Sequence, residues 1–156
     1  MRETIENSER IDGGRKKLQS MLDILDRHET ELRHIAEDIP NQVAASKMDD
    51  TQKREFIAGF NTTKDEGLSN ISEFFTIERS FVAKVDEIYG FLEGKQGRYK
   101  FTGNQPVFVS QSDVRAYNQY LSEINDIARQ ENNWRIRMQT NSEQQLDRMQ
   151  RMMKRR

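Results

Sequence analysis

The chain has 156 residues, 25 of them Lys or Arg and 26 Asp or Glu, with no cysteine and a formal net charge of −1. A single domain fits that length, and the lack of cysteine excludes a disulfide scaffold, a thiolate metal site and a cysteine nucleophile while leaving cytosol and envelope both open. Leu, Ile, Val and Phe together number 34, just above the level at which so charged a chain stays disordered, so the expected core is thin. No apolar run approaches the ~20 residues of a membrane span, and the opening residues lack the apolar core of a signal peptide.

Ile11, Leu18, Leu25, Leu32 and Ile39 repeat every seven residues, which predicts a coiled-coil-like first helix. Gly13-Gly14 weakens its start and Pro40 stops it, so the helix is expected over about 15–38. A polar linker over 41–48 follows. Asp49-Asp50-Thr51 then supplies a cap and an acidic first turn for a second helix over 49–93. Its apolar positions, Phe56, Phe60, Leu68, Ile71, Phe75, Val82 and Leu92 among them, keep helical spacing except across 61–67. That gap reads as a solvated stretch or as a break, and the phase across it favours continuity.

From Arg98 the period shortens. Tyr99 and Phe101 alternate with polar neighbours, Gly103-Asn104-Gln105-Pro106 is turn chemistry, and Val107-Phe108-Val109 favours a strand, which together predict a β-hairpin over 98–109. Pro106 belongs at the start of a strand or on its free edge. Ser110 or Ser112 caps a third helix over 112–150, with a stripe of Val114, Tyr117, Leu121, Ile124, Ala128, Trp134 and Met138. The expected fold is all-α, a single domain over 1–156 in which three long antiparallel helices form a coiled-coil-like bundle, with the hairpin between the second and third. A helix of about 40 residues spans about 60 Å, so the expected product is a rod.

Chemistry is sparse. The two histidines are His28 and His34. Glu31 and His34 have the spacing of a di-iron ligand pair, but such bundles use two pairs and no second Glu-x-x-His occurs. His28 lies on the heptad stripe, where a seam role is the plainer reading. No nucleophile elbow, phosphate loop or dinucleotide fingerprint is present. The reading is therefore no enzyme, no catalytic residue, no cofactor and no metal. Arg148, Arg151, Lys154, Arg155 and Arg156 place five positive charges in the last nine residues. That tail suits anionic lipid or nucleic acid, although basic residues at a helix C-terminus also complement the macrodipole. Residues 1–50 carry 8 basic and 12 acidic groups, residues 51–100 carry 8 of each, and the remainder 9 and 6. No surface-wide basic field results, which argues against nucleic acid. A hairpin is not stable alone, so one face of Tyr99, Phe101 and Phe108 is expected to pack on helix and another to contact a protein partner. A thin apolar seam also favours self-association into a homo-oligomer.

The run from Gly97 to Leu121, with aromatics at Tyr99 and Phe101, a turn at Gly103-Asn104, Phe108, a serine cap and the pair Tyr117-Asn118, resembles the hairpin-then-helix segment of an uncharacterised family of Gram-negative lipoproteins. The segment Gln52 to Ile57 is similar to that family's early helix. Together these cover about a third of the chain. The resemblance implies a helical protein of the periplasm or cell envelope, tethered to a membrane and without assigned activity. It carries over no functional residue. The chain lacks a lipobox cysteine, as a trimmed mature domain would; otherwise the expected compartment is the cytoplasm. The function that follows is a non-enzymatic helical scaffold or protein-interaction module, with peripheral binding of anionic lipid or nucleic acid through the basic tail as the alternative.

Overall fold

The computed structural model of the chain describes the backbone of residues 2–153 and the side chains of residues 7–144. It is an all-α fold: α1 (Arg2–Ala45), α2 (Asp50–Gly94), a hairpin of β1 (Tyr99–Thr102) and β2 (Gln105–Phe108), then α3 (Gln111–Met153). The chain divides into two compact units, Met1–Gly97 and Arg98–Arg156.

In the first unit α1 and α2 pack antiparallel, as the partners across them show. Arg15 bonds Asp86 at 3.0 Å and Glu93 at 2.9 Å, Arg79 bonds Asp26 and Glu29 at 2.7 Å each, and Lys53 donates to the Ala44 carbonyl at 2.7 Å. On α1, Ile11, Leu18 and Val43 are buried. Leu22, Leu25, Glu29, Ala36 and Ile39 are half-buried. Four of the five heptad residues read from the sequence, Ile11, Leu18, Leu25 and Ile39, lie in this seam, whereas Leu32 is 40 % exposed and Glu29 takes the inward position in that turn.

α1 is longer at both ends than the predicted 15–38. Gly13-Gly14 does not interrupt it. The helix must continue past them to bury Ile11, which is only 1 % exposed. Gly14 also has a packing role: a Cβ there would lie 2.3 Å from the Tyr89 hydroxyl and 2.4 Å from its Cζ, so only glycine admits the ring that close. Pro40 lies inside the helix. It withdraws a donor from the Ala36 carbonyl, a lesion that costs about 3 kcal/mol in a helix interior. Continuation beyond it buries Val43 and closes the end well. Ser46 caps the Val43 carbonyl with its backbone N–H at 3.1 Å and its hydroxyl at 2.7 Å. The expected linker over 41–48 shrinks to 46–49.

α2 begins as expected at Asp49, whose carboxylate accepts from the N–H groups of Thr51 and Gln52 at 2.9 Å, while Gln52 accepts from the Asp49 N–H at 3.2 Å. This is a complete capping box. The helix runs unbroken through 61–67. There the Thr62 and Thr63 hydroxyls fold back onto the carbonyls of Gly59 at 2.6 Å and Phe60 at 3.2 Å, which satisfies the side chains without diverting the backbone.

The α1–α2 seam contains an ionic cluster. Glu29, 16 % exposed at its side chain, accepts from Arg79 of α2 and from Arg33 one turn on, at 2.7 and 2.9 Å. Hydrogen bonds from Arg33 and Arg79 hold its carboxyl below the usual carboxylate range. A depressed folded value contributes stability that is complete above the ordinary carboxylate range and is lost as pH falls through the folded value. Glu29→Gln should lower the unfolding free energy at pH 7 by about 1–2 kcal/mol, since Arg79 stays 35 % exposed and partly screened. It should also flatten the acid limb of stability between pH 5 and 3, measured by urea unfolding across pH. An unchanged acid limb would remove Glu29 from that role.

Candidate functional site

In the second unit the hairpin is built from its turn outward. Gly103 has φ +63° and occupies the first central position of a two-residue turn with Asn104, where a type II′ turn demands glycine. Gln105 and Pro106 consequently belong to β2 and not to the turn. The register pairs Tyr99 with Phe108, Lys100 with Val107, Phe101 with Pro106 and Thr102 with Gln105. The Val109 N–H donates to the Arg98 carbonyl at 3.1 Å, so alternation along the ladder puts Pro106 in a non-hydrogen-bonded pair. Its missing N–H thus costs no ladder bond. At such a position the backbone points away from β1, so Pro106 also removes a donor from the outer edge of β2 and blunts strand addition there.

The pleat sends Tyr99, Phe101, Pro106 and Phe108 to one face. Tyr99 meets Phe101 edge-on at 5.5 Å between centroids and Phe108 at 5.5 Å, and Phe108 meets Tyr117 of α3 at 5.3 Å. Burial raises the Tyr117 hydroxyl above its ordinary range, so it remains a neutral phenol. Ser110 caps α3 by accepting from the Ser112 N–H at 3.2 Å. β2 thereby runs directly into the helix, and the two enclose a groove of about 460 Å³ lined by Pro106, Val107, Phe108, Val114, Tyr117 and Leu121, with Gln105 and Asn118 supplying amides.

Of the residues expected to contact a partner, the structure gathers Tyr99, Phe101 and Phe108 into this one cluster. Tyr99 is 3 % exposed and has almost no surface to offer. Phe101 and Phe108 are half-buried. The exposed apolar surface lies one residue over, at Val107, 53 % exposed, and Val109, 88 % exposed. The alternation that marked the strand already placed these two opposite Phe108. Leu121, assigned to the inner stripe of α3, is exposed, whereas Ile127, absent from that stripe, is buried. Ala128 is exposed as well.

The basic cluster lies at the edge of the described chain. Arg148 and Arg151 are on the helical backbone of α3, Lys154, Arg155 and Arg156 lie beyond the described backbone, and the side chains of all five fall outside the described residues. His28, expected in the seam, is 54 % exposed at its side chain and pairs with Glu31 at 3.2 Å. Its neighbour Glu29 takes the inward position because two arginines compensate its charge. His34 is exposed. Among the described residues no group of three or more His, Asp or Glu side chains could hold a metal ion, and no helix is long and apolar enough to cross a membrane. A second concavity of about 470 Å³, lined by Pro40, Val43, Ile57 and Ala58, opens at the α1–α2 turn. Lys53 borders it with an ammonium already engaged by the Ala44 carbonyl. No family model, curated protein or solved structure matches the chain.

Proposed function

We propose that the protein is a non-enzymatic helical scaffold that binds another protein through the groove between β2 and α3. The observation that carries this reading is the exposure of Val107 and Leu121 on the groove that Pro106, Phe108 and Tyr117 floor. An apolar wall on a rigid aromatic base, edged by two neutral amides, suits apolar side chains of a protein segment better than a charged ligand. Pro106 withholds one outward donor from β2, so the contact is made by side chains and not by extending the sheet. The resemblance to envelope lipoproteins supports a cell-envelope location as part of the same proposal.

The test separates contact from folding. Val107→Glu and Leu121→Glu alter exposed side chains and should leave helicity and unfolding midpoint unchanged. They should weaken binding of a captured and then purified partner by about tenfold or more. Equal affinity for wild type and both variants would show that the groove is not the contact. Phe108→Ala is a poorer probe, because it also removes the ring contacts to Tyr99 and Tyr117.

A further inference from the structure

A second apolar surface lies on α1, on a face separate from the seam with α2. Met21, Ile24, Leu32 and Ile35 are 37, 45, 40 and 53 % exposed, and they surround the exposed His28. Their offsets from His28 are −7, −4, +4 and +7. At 100° per residue all four fall within about 40° of the direction of His28, while the seam toward α2 lies about a quarter-turn away. The helix is unbroken throughout, so these five side chains form a straight strip about 21 Å long.

That spacing reads the same in both directions. It is what an antiparallel two-fold pairing of identical helices requires, since in an isologous contact residue i meets j and j meets i. From this we infer that α1 binds a second copy of the chain antiparallel, with His28 on the two-fold axis. Met21 then meets Ile35 of the second copy, Ile24 meets its Leu32, and His28 meets its own counterpart.

The charges agree with this register. Lys17, Arg27, Glu31 and Asp38 all lie on the flank away from α2, at offsets −11, −1, +3 and +10 from His28. In a two-fold antiparallel pair that flank faces its own copy. Lys17 therefore comes opposite Asp38 of the second copy, a pair that occurs twice, while Arg27 lies two residues along the axis from both Glu31 and Arg27 of the second copy. In a parallel pair that flank would instead face the α2-side flank of the copy, and the Lys17–Asp38 pairs would not form. Four partly exposed apolar side chains make a small contact, in the size class of weak, exchanging complexes, so the dimer should appear at high protein concentration. It is independent of the β2–α3 groove.

The absence of cysteine makes the test clean, because a single introduced cysteine can bridge only to its own counterpart. Under mild oxidation His28→Cys should form a covalent dimer within minutes, whereas Met21→Cys, about 21 Å from its counterpart in this register, should not. Asp23→Cys, on the opposite face, reports random collision. Mixing Met21→Cys with Ile35→Cys should give the mixed dimer. In parallel, the solution mass of the wild type should rise toward two chains by about 500 µM, and Ile24→Glu should hold it at one chain with helicity intact. Cross-linking of Met21→Cys as fast as His28→Cys would show a parallel pair, and equal rates at position 23 would show collision only. No bridge at position 28, or a monomeric wild type at the highest concentration, would equally overturn the inference.

Discussion

Phe75→Ala should cost about 3–4 kcal/mol of unfolding free energy and lower the melting temperature by roughly 10 °C, the largest effect expected of a single truncation in the α1–α2 unit. Phe75 is 4 % exposed. Its ring meets Phe74 edge-on at 5.4 Å, and the Arg79 guanidinium sits 5.9 Å from its centroid. Truncation therefore opens a cavity and also removes the surface on which Arg79 rests while it reaches Asp26 and Glu29. Phe56, 46 % exposed on the same helix, provides the contrast, since Phe56→Ala should change stability by less than about 0.5 kcal/mol. Urea unfolding followed by circular dichroism measures both. Similar costs at the two sites would mean that the packing around Phe75 is not as described.

The second large effect is a difference of sign between neighbours. A Cβ on Gly13 would meet nothing within 4 Å, whereas a Cβ on Gly14 would strike the Tyr89 ring. Gly13→Ala should stabilise the chain by about 0.5–1 kcal/mol, because alanine is the better helix former and restricts the unfolded chain. Gly14→Ala gains the same propensity but must displace the half-buried Tyr89 ring from its place against α1. The expected net is a loss of about 1–3 kcal/mol. Equal stabilisation by both alanines would show that the close approach of Tyr89 to α1 does not exist in solution.

These two glycines also show where a sequence stops being legible. Propensity assigns each a cost and places a helix start after them, and that reasoning is local. The seam partner that makes Gly14 useful, Tyr89, lies on another helix, and nothing near Gly14 announces it. Pro40 is similar: its cost is local, while the benefit of continuing lies in Val43 and in the capped turn beyond. By contrast the heptad of α1, the cap at Asp49 and the phase across 61–67 needed only neighbours in sequence. They were readable, as was the hairpin between the second and third helices.

At the candidate site the aromatic residues were visible as a group, but which of them remains exposed was not. Tyr99, Phe101 and Phe108 stood out because they are large, and size is what drives them inward. Val107 and Val109 carried the opposite signal through the same two-residue period. Knowing which face is covered requires knowing that β2 runs straight into α3 and brings Tyr117 under Phe108. The strip on α1 was hidden for a related reason. Met21, Ile24 and Ile35 fill positions between the heptad residues and Leu32 is itself one of them, and only the placement of α2 separates the buried set from the exposed one.

The most direct measurement of the central claim places a photo-crosslinking phenylalanine derivative at Val107 in the cell that makes the protein, with the same group at exposed Glu55 as the comparison. The expected result is one discrete protein adduct from position 107, absent at position 55 and abolished by Leu121→Glu in the same chain. Adducts of equal yield from both positions, or an adduct at 107 that survives Leu121→Glu, would contradict a binding role for the groove.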